Sequence, residues 1–396
     1  METKQSFDAA FFDAVHDRAG TGSIKYGAFP AGARADTIPM WVADMDFPSP
    51  PAVREALARA AEQTILGYTE AGGGYRELLR AWYQRRMDWR TEADWYEVVP
   101  NVLSGVSAAL FALTEPGDGV LLCEPVYYPF ARIIRRLGRE VVVSRLREDG
   151  GRYTLDYADI DEKAKRCKAI LFCSPHNPVG RVWERAELAE LGRICQTRGL
   201  WIISDEIHAD LVYPPHRHTP MTALSEELAA RTVVCMAPTK TFNLAGLPIA
   251  HLIVPNGELR RGLERAFSGM GQASVNLMSL AAASAAYRDG EAWLDGLLDY
   301  LRGSRELLYA AFPDGAPVRA LPVEGTYLAW LDCRALSLDD AGLDKLFLER
   351  AGLWLDGGVM FGSGGEGFMR LNFACPRGVL REAIRRIGQA AGQGAV

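Results

Sequence analysis

Residues 235–247 read CMAPTKTFNLAGL, and they place one lysine shortly after an apolar run. The run, residues 232–236, is nearly continuous in apolar side chains, as strands covered on both faces are. Lys240 follows it among Pro, Thr, Ala and Gly. Two interpretations are open at this point. An ordinary solvated lysine in a loop is the common case, whereas a lysine held in a desolvated site can form a Schiff base with an aldehyde.

Other apolar runs repeat this pattern, and each run breaks into a polar segment. The three clearest runs are residues 169–173, 200–203 and 232–236. Short runs that alternate with helical patterns indicate βαβ units and a largely parallel sheet. Ligands collect at the carboxyl ends of the strands in such α/β sheets. Asn177, Asp205 and Lys240 each follow one run, so we expect them to share one crevice.

The composition is that of an ordinary globular protein. Of the 396 residues, 48% are hydrophobic and 24% are charged, which argues against long disordered segments. The net charge of -6 lacks the basic footprint of a nucleic-acid-binding protein. No apolar run approaches the length that crosses a bilayer. We therefore expect neither a nucleic-acid partner nor a membrane partner.

The cysteines and the first twenty residues indicate the cellular compartment of the protein. The seven cysteines are scattered and contain no CxxC pair, which argues against a disulfide framework and against a zinc site. Residues 1–20 mix both charges through their apolar positions, unlike a signal peptide. These patterns predict a cytoplasmic protein without a metal centre.

The chain is longer than one hydrophobic core usually serves, so we expect two domains. The alternation of apolar runs and helices extends to about residue 285. Beyond it, a long helical stretch at residues 292–312 precedes a strand-like segment at residues 326–331, a glycine-rich loop and an amphipathic helix. The prediction is a large domain at residues 46–285 and a smaller α+β domain at residues 1–45 and 286–396.

An earlier segment supplies a candidate anion site. A helix predicted to open with Ser104, Gly105 and Val106 would expose its first backbone NH groups. Such a helix start attracts phosphate through those NH groups and the helix dipole. Many helices begin in this way and bind nothing, so both interpretations stay open for the segment taken singly.

The combination of Lys240 with Asp205 favours the catalytic interpretation of the lysine. Asp205 ends a neighbouring buried strand, where an unpaired carboxylate would be costly. A protonated pyridine nitrogen would satisfy that carboxylate. A Schiff-base lysine with an aspartate partner for the ring nitrogen is the signature of pyridoxal phosphate (PLP) binding.

Seven motifs, in order and spanning nearly the whole chain, resemble one branch of PLP enzymes. They are IPMWVADMDFPSPPAV (38–53), LGYTEAGGGY (66–75), EPVYYPF (124–130), SPHNPVGRVW (174–183), SDEIHADL (204–211), APTKTFNLAGL (237–247) and FMRLNFACPR (368–377). The chain resembles the fold-type-I enzymes of the class I/II aminotransferase superfamily, specifically the cystathionine β-lyase (C-S lyase) branch typified by MalY and PatB. The resemblance implies an aspartate aminotransferase-like fold with a mostly parallel seven-stranded sheet, PLP as cofactor, and a homodimer with active sites at the subunit interface.

The resemblance implies roles for residues around the lysine. Lys240 would hold PLP as a Schiff base and act as the base at the substrate Cα. Asp205 would keep the pyridine nitrogen protonated, and Asn177 would hydrogen-bond the ring's 3-oxygen. His208 stands where many aminotransferases place a tyrosine near that oxygen, with a packed core histidine as the alternative. Tyr127 would stack on the ring face, although adjacent tyrosines also suit core packing.

The resemblance also implies how phosphate and substrate are held. Backbone NH groups of residues 104–106 would bind the phosphate, and Tyr68 would reach the phosphate of the neighbouring subunit. Arg370 would clamp the substrate α-carboxylate with its bidentate geometry. Aminotransferases commonly carry a phosphate-binding serine three residues before the lysine and an arginine shortly after it. Here Ala237 and, near the second place, Pro248 stand instead, so Thr239 and Tyr68 are expected to contribute more.

The residues leave several reactions open, because formation of the Schiff base and loss of the Cα proton are common to them. The family branch favours a β-lyase that cleaves L-cystathionine or a related cysteine S-conjugate to a thiol, pyruvate and ammonia. The alternative is a class I/II aminotransferase that uses the same residues. A non-catalytic ligand-binding protein is a third hypothesis, but it has no need of Lys240, Asp205, Asn177 and Arg370 together.

Overall fold

The computed structural model describes residues 7–271 and 275–392. Within these residues the strands are β1 (Ile38–Pro39), β2 (Tyr96–Val99), β3 (Gly119–Glu124), β4 (Glu140–Arg145), β5 (Arg147–Asp149), β6 (Arg152–Thr154), β7 (Cys167–Cys173), β8 (Trp201–Asp205), β9 (Thr232–Met236), β10 (Ala250–Ile253), β11 (Arg319–Ala320), β12 (Leu328–Asp332), β13 (Leu353–Trp354), β14 (Asp356–Gly357) and β15 (Phe368–Asn372). The α-helices are α1 (Ala9–Asp13), α2 (Pro51–Ala61), α3 (Gly73–Met87), α4 (Val102–Leu113), α5 (Pro129–Arg136), α6 (Tyr157–Ala164), α7 (Arg185–Arg198), α8 (Glu226–Ala229), α9 (Pro238–Thr241), α10 (Gly257–Gly269), α11 (Leu277–Asp289), α12 (Glu291–Ala311), α13 (Asp340–Asp344) and α14 (Arg377–Ala390).

A seven-stranded sheet in the order β2-β10-β9-β8-β7-β3-β4 forms the centre of the α/β part. Only β10 runs antiparallel to its neighbours in this sheet, and the remaining pairs are parallel. The three apolar runs of the sequence form its adjacent strands β7, β8 and β9. All five residues of β9 are buried, as the continuous apolar run predicts. The predicted mostly parallel seven-stranded sheet is thus confirmed.

Helices cover both faces of this sheet because successive strand residues point to opposite sides. Ile203 of β8 packs in a hydrophobic cluster with residues of α4, α5 and α10. The preceding residue, Ile202, packs in a second cluster with residues of α6 and α7. The sheet edge at which β7, β8 and β9 end is therefore held between two apolar layers, and polar groups placed there are desolvated.

A second, four-stranded sheet in the order β11-β12-β15-β14 is antiparallel throughout. Leu301 of α12 and Leu380 of α14 share a hydrophobic cluster with Leu331 of β12. Strand β1 pairs in parallel with β13 and so ties the N-terminal segment to this part of the chain. The division into a large domain at residues 46–285 and a small domain at residues 1–45 and 286–396 stays a prediction.

Two element boundaries differ from the sequence prediction for physical reasons. β12 begins at Leu328 rather than at residue 326, because Thr326 has a φ of 73°, which a strand does not accommodate. α4 begins at Val102, two residues earlier than the predicted start at Ser104. The side chain of Asn101 accepts a hydrogen bond from the Ser104 NH at 2.9 Å and caps the helix there.

All seven cysteines are buried and free, so none forms a disulfide. None of the helices in the described residues is long and apolar enough to cross a membrane.

Candidate active site

A cavity of about 320 Å³ lies at the carboxyl ends of β7, β8 and β9. Asp205, the last residue of β8, is in register with Cys173 of β7 and with Cys235 of β9, so the three strands end together. The structure brings together the polar residues that follow these strands, as the strand ends predict. The predicted site residues that line the cavity are Tyr127, Asn177, Asp205, His208, Thr239, Lys240 and Arg370.

Lys240 lies in the short helix α9 that follows β9, and its side chain enters the cavity. Its Nζ donates a hydrogen bond to the backbone oxygen of Ala43. Burial lowers the pKa of the Lys240 amine to about 8; the charge of Asp44 opposes this shift and that of Arg370 adds to it. The amine is therefore available in its uncharged, nucleophilic form close to neutral pH.

Asp205 is buried at the end of β8. Its Oδ1 accepts a hydrogen bond from the backbone NH of Ile207 at 3.1 Å. Burial, assisted by the neighbouring Glu206 carboxylate, raises the pKa of the Asp205 carboxyl to about 7. A carboxyl group in this environment gains stability from a cation placed beside it.

His208 is buried and lines the same cavity. Burial, assisted by the charges of Lys240 and Arg370, lowers its pKa to about 3, so the ring is neutral at physiological pH. Its ring meets that of Tyr327 edge to face, with centroids 6.0 Å apart. Its Nδ1 is buried and has no hydrogen-bond partner within the described residues.

Arg370 is buried on β15, and its guanidinium is held from three sides. Nη1 donates to Asn177 Oδ1 at 3.0 Å, and Nη2 donates to the backbone oxygen of Trp41 at 2.8 Å. Nη2 also forms an ion pair with Asp356 Oδ2. Because one Nη1 hydrogen and the Nε hydrogen remain without a partner, the group keeps donors for an incoming carboxylate.

Asp356 is a cavity residue that the sequence did not reveal. It is directly opposite Arg370 in the antiparallel pair β14–β15, which explains their ion pair. Burial raises the pKa of the Asp356 carboxyl, and the Arg370 charge opposes the rise. The pair neutralises a buried arginine that would otherwise be costly. An aspartate before two glycines reads as a turn residue, so only the strand register could have disclosed it.

Segment 41–43 is a second part of the cavity wall that carried no assigned role in the sequence. It lies within the motif WVADMDF, which there served only to mark the family. Ala43 O accepts from Lys240 Nζ and from the Tyr327 hydroxyl, the latter at 2.9 Å. Asn372 Nδ2 donates to Val42 O at 2.7 Å and fixes the segment. The backbone of this segment therefore positions both the lysine and the arginine.

Tyr127 follows β3 and lines the cavity with its ring. It packs edge to face against Phe130, with ring centroids 5.4 Å apart, so the core packing and the cavity position coexist. Burial raises the pKa of the Tyr127 hydroxyl to about 12, which keeps it protonated. Thr239, the residue before the lysine, also lines the cavity.

The predicted contact between residues 104–106 of α4 and a phosphate stays a prediction. Ser104, Gly105 and Val106 do not line the cavity; Asn101, Val102 and Leu103 do. The NH of Gly105 donates to the Asn101 backbone oxygen at 3.1 Å, and that of Ser104 donates to the Asn101 side chain. The available NH groups are those of Val102 and Leu103, because the first residues of a helix lack an acceptor within it.

Tyr68 lies away from the cavity of its own chain and is fully exposed. Its predicted contact with the phosphate of a neighbouring subunit stays a prediction. Ala237 and Pro248, at the two positions that depart from the aminotransferase pattern, both line the cavity. Neither can donate a side-chain hydrogen bond to a phosphate there.

The polar groups of the cavity fit PLP. Trp41 Nε1, His208 Nδ1 and Arg370 Nε are buried without partners in the described residues. Unpaired groups of this kind call for a polar ligand, since buried polar groups are normally hydrogen-bonded. An aldehyde would meet the Lys240 amine, and a protonated ring nitrogen would meet the Asp205 carboxyl. A phosphate would be accommodated by the start of α4.

The family model described as aminotransferase class I and II matches residues 35–387. The chain belongs to this family. The matched range contains every residue that lines the cavity. The fold is accordingly the aspartate aminotransferase-like fold, as the resemblance implied.

Relatives place the chain in the branch that the motifs indicated. The cystathionine beta-lyase PatB of Bacillus subtilis is 37% identical, over 96% of this chain and 99% of its own length. Cystalysin from Treponema denticola, whose crystal structure contains PLP, has a TM-score of 0.93 and 34% identity, covering 96% of this chain and 98% of its own. The PLP-bound C-S lyase from Staphylococcus hominis has a TM-score of 0.90 and 30% identity, covering 96% and 97% respectively. The predicted PatB-type resemblance is confirmed.

Proposed function

We propose that this protein is a PLP-dependent carbon–sulfur β-lyase that cleaves L-cystathionine or a related cysteine S-conjugate to a thiol, pyruvate and ammonia. One observation carries the proposal: an amine with a lowered pKa, a buried carboxyl and a buried guanidinium line a single cavity. These groups belong to Lys240, Asp205 and Arg370. The choice of a lyase among PLP enzymes rests on the PatB-type relatives.

The start of α4 and the end of β8 hold opposite ends of the cofactor in this proposal. Bound PLP supplies an aldehyde for amines and a protonated ring that withdraws electrons from the substrate Cα. The NH groups of Val102 and Leu103 bind the phosphate, assisted by the Thr239 hydroxyl. Asp205 binds the ring nitrogen, and Tyr127 covers the ring face.

Asn177 and His208 serve the 3-oxygen side of the ring. The Asn177 amide oxygen already accepts from Arg370, so its NH₂ group is left to donate to a ring oxygen. His208 is neutral and offers a second hydrogen-bond donor through its Nδ1, which has no partner within the described residues. The two residues orient the ring without adding a charge beside the lysine.

Arg370 and Lys240 act on the substrate. Arg370 binds the α-carboxylate through its remaining hydrogens, which fixes the Cα next to the lysine. Lys240, displaced by the substrate amine, accepts the Cα proton at Nζ; its lowered pKa suits a base that works near neutral pH. The Cβ–S bond then breaks, and its electron pair leaves with sulfur as a thiolate that is protonated to the thiol. Water hydrolyses the remaining three-carbon fragment to pyruvate and ammonia.

The proposal includes a homodimer in which Tyr68 completes the phosphate site of the partner. Ile65, Leu66 and Tyr68 lie between α2 and α3 and are among the most exposed large apolar side chains of the described residues. Exposed apolar stretches of this kind mark interaction surfaces. The protein is further proposed to be cytoplasmic, with an amino-acid substrate and no nucleic-acid or membrane partner.

The aminotransferase remains the rival function because the cavity holds what both reactions need. After loss of the Cα proton, an aminotransferase returns a proton to the cofactor side and requires a keto acid to complete its cycle. A β-lyase loses the sulfur substituent and needs no keto acid. Dependence on a keto acid therefore separates the two functions.

Replacing Lys240 with Ala tests whether the protein is an enzyme at all. We expect pyruvate release from cysteine thioethers to fall by at least about a hundredfold, because both the cofactor attachment and the base are lost. Lys168→Ala, which removes an exposed lysine of β7, is the matched control and should keep full activity. If the Lys240→Ala and Lys168→Ala variants bound ligand and performed the function of the protein equally well, the protein would be a binding module and not an enzyme.

A further inference from the structure

A second groove, of about 590 Å³, lies next to the active-site cavity between α5 and the loop at residues 359–362. Tyr127 and Tyr128 line both the groove and the cavity, so the two spaces share a wall. On the other side, Phe361 lines the groove and also lies under the Arg370 guanidinium, 4.8 Å from the ring centroid to Cζ. The groove therefore begins where the site for the α-carboxylate ends.

Arginines without counterions line this groove. Arg132, Arg135 and Arg136 of α5 are exposed, and none of the three makes an ion pair or a side-chain hydrogen bond within the described residues. Arg132 instead lies over the Tyr128 ring, 5.4 Å from its centroid, at the wall shared with the cavity.

Several other exposed helical arginines of the chain do have an acidic partner on the same helix. Arg193 pairs with Glu190 on α7, and Arg385 pairs with Glu382 on α14. On α5 the spacing of three and four residues puts like charges on one helix face, where they repel one another. An anion brought from outside would relieve that repulsion.

The groove also has an apolar part. Val359 and Met360 are each 45% exposed, and Val126 and Val143 complete the surface beside the arginines. Glu124 is the acidic member of the lining, but it is buried, and its Oε2 accepts from the NH of Ser363 at 2.7 Å and from the Ser363 hydroxyl at 3.0 Å. The free surface thus combines aliphatic side chains with an excess of positive charge.

We propose that this groove binds the leaving-group end of the thioether substrate, and that this end is an aliphatic chain that carries a carboxylate. The inference rests on the proposed lyase function and adds the substrate class to it. The α-carboxylate lies on Arg370, the sulfur leads past Tyr127 and Tyr128, and the distal carboxylate meets the arginines of α5. Residues Arg132, Arg135 and Arg136 then determine specificity without taking part in the bond-breaking step.

A pair of substrates that differ only at the far end tests the proposal. The cofactor-loaded protein is given S-carboxypropyl-L-cysteine or S-butyl-L-cysteine, and pyruvate release gives kcat/KM for each. We expect the acidic thioether to be preferred by about tenfold, the scale of a few exposed charge contacts. In the combined variant Arg132→Ala, Arg135→Ala, Arg136→Ala, the ratio of kcat/KM for the acidic thioether to that for the butyl thioether should fall toward one. The fall should come from a higher KM for the acidic substrate.

Two controls make the result specific. Arg381→Ala, which removes an exposed arginine of α14 far from the groove in the sequence, should retain the preference. Added salt should reduce the preference of the unmodified protein, because the Debye length falls from about 30 Å at 0.01 M to about 3 Å at 1 M salt. A preference that is absent, or that survives the triple substitution, would overturn the proposal.

Failure of the lyase function would look different. If neither thioether released pyruvate, the proposed reaction would be wrong. The groove is then judged by calorimetric titration of both thioethers into cofactor-treated Lys240→Ala protein, which requires no turnover. Tighter binding of the acidic thioether, lost in the triple arginine variant, supports the groove assignment, and equal binding of the two thioethers contradicts it.

Discussion

Burial of one amine sets the chemistry of the site. A lysine in water has a pKa of about 10.4, so fewer than about one in a thousand is uncharged at pH 7. Burial lowers the pKa of Lys240 to about 8, although the charges of Asp44 and Asp205 favour the protonated form. Roughly one amine in ten is then uncharged at pH 7. The uncharged form is the one that attacks an aldehyde and accepts a proton.

The rate of PLP attachment to the apoprotein should report this pKa. The rate should rise about tenfold between pH 6 and pH 7 and about fivefold between pH 7 and pH 8, because the uncharged fraction rises in that way, and it should level off above the pKa of about 8. The absorbance of the Schiff base after mixing measures the rate, and Lys240→Ala supplies the blank. A rate that keeps climbing to pH 10 would mean that the amine is not desolvated.

Asp356 should matter for stability, because it is the carboxylate partner of a buried arginine. Asp356→Ala leaves Arg370 with only neutral acceptors, and removal of one member of a buried pair costs about 3–5 kcal/mol of unfolding free energy. Urea unfolding monitored by tryptophan fluorescence measures the change. Asp161→Ala, which breaks the exposed pair with Arg198, is the control and should alter stability little. Equal effects of both substitutions would contradict the account of the buried pair.

Site residues that follow a recognisable local pattern could be predicted from the sequence. Site residues whose role depends on a contact between distant parts of the chain could not. Lys240, Asp205 and Asn177 each follow an apolar run, so the strand pattern alone placed them together. Asp356 has no such local pattern, because its role depends on Arg370, its neighbour in the sheet, which is fourteen positions away in the chain. Its role follows only from the register of β14 and β15.

The glycine near the start of α4 serves packing between the helix and the sheet. A Cβ at Gly105 would lie 2.6 Å from Leu252 Cδ2 on β10. The absence of a side chain at Gly105 therefore lets the helix approach the sheet, while the proposed phosphate contacts lie at Val102 and Leu103, which line the cavity. Close packing accounts for the glycine at position 105, and the anion-site interpretation of residues 104–106 stays a prediction.

Gly105→Ala should consequently reduce stability more than PLP affinity. Overpacking against Leu252 should cost about 1–3 kcal/mol, and the dissociation constant for PLP should stay within about twofold because the α4 start is untouched. Thermal unfolding and spectroscopic titration measure the two quantities. Gly262→Ala in α10 has space for a Cβ and should stabilise by about 0.5–1 kcal/mol. Loss of PLP binding without loss of stability in Gly105→Ala would instead favour a direct phosphate contact at Gly105.

Strands were easier to predict than the helix start. The run at residues 232–236 has the bounds of β9, since buried parallel strands are apolar throughout and end where polar residues begin. The start of α4 depends on one side-chain hydrogen bond from Asn101. An asparagine just before an apolar run is a usable cap signal, and attention to it would have moved the predicted start to Val102.

The assembly determines whether each cavity is complete. Tyr68 is fully exposed in the single chain and lies outside its own cavity. A twofold symmetric dimer uses the same patch on both subunits, so a residue given to the partner's site is also received from the partner. The homodimer proposal thus makes Tyr68 and Lys240 of one chain members of different active sites.

Mixed dimers test that arrangement. Tyr68→Ala and Lys240→Ala proteins should each be impaired, the first through weaker PLP binding and the second through loss of the base. When the two are co-expressed, half of the dimers are mixed, and each mixed dimer has one intact site. About a quarter of the unmodified activity should return, by the symmetry of such dimers. Activity that merely averages the two variants would place Tyr68 outside the partner's site.

The β-lyase assignment is tested most directly by mixing cofactor-loaded protein with L-cystathionine in the absence of any keto acid. Pyruvate and free thiol are assayed while the visible band of the Lys240-bound cofactor is recorded. The account predicts equal amounts of pyruvate and thiol over many turnovers, with the band restored when the substrate is exhausted. A band that bleaches once and recovers only when a keto acid is added would contradict the lyase and identify an aminotransferase.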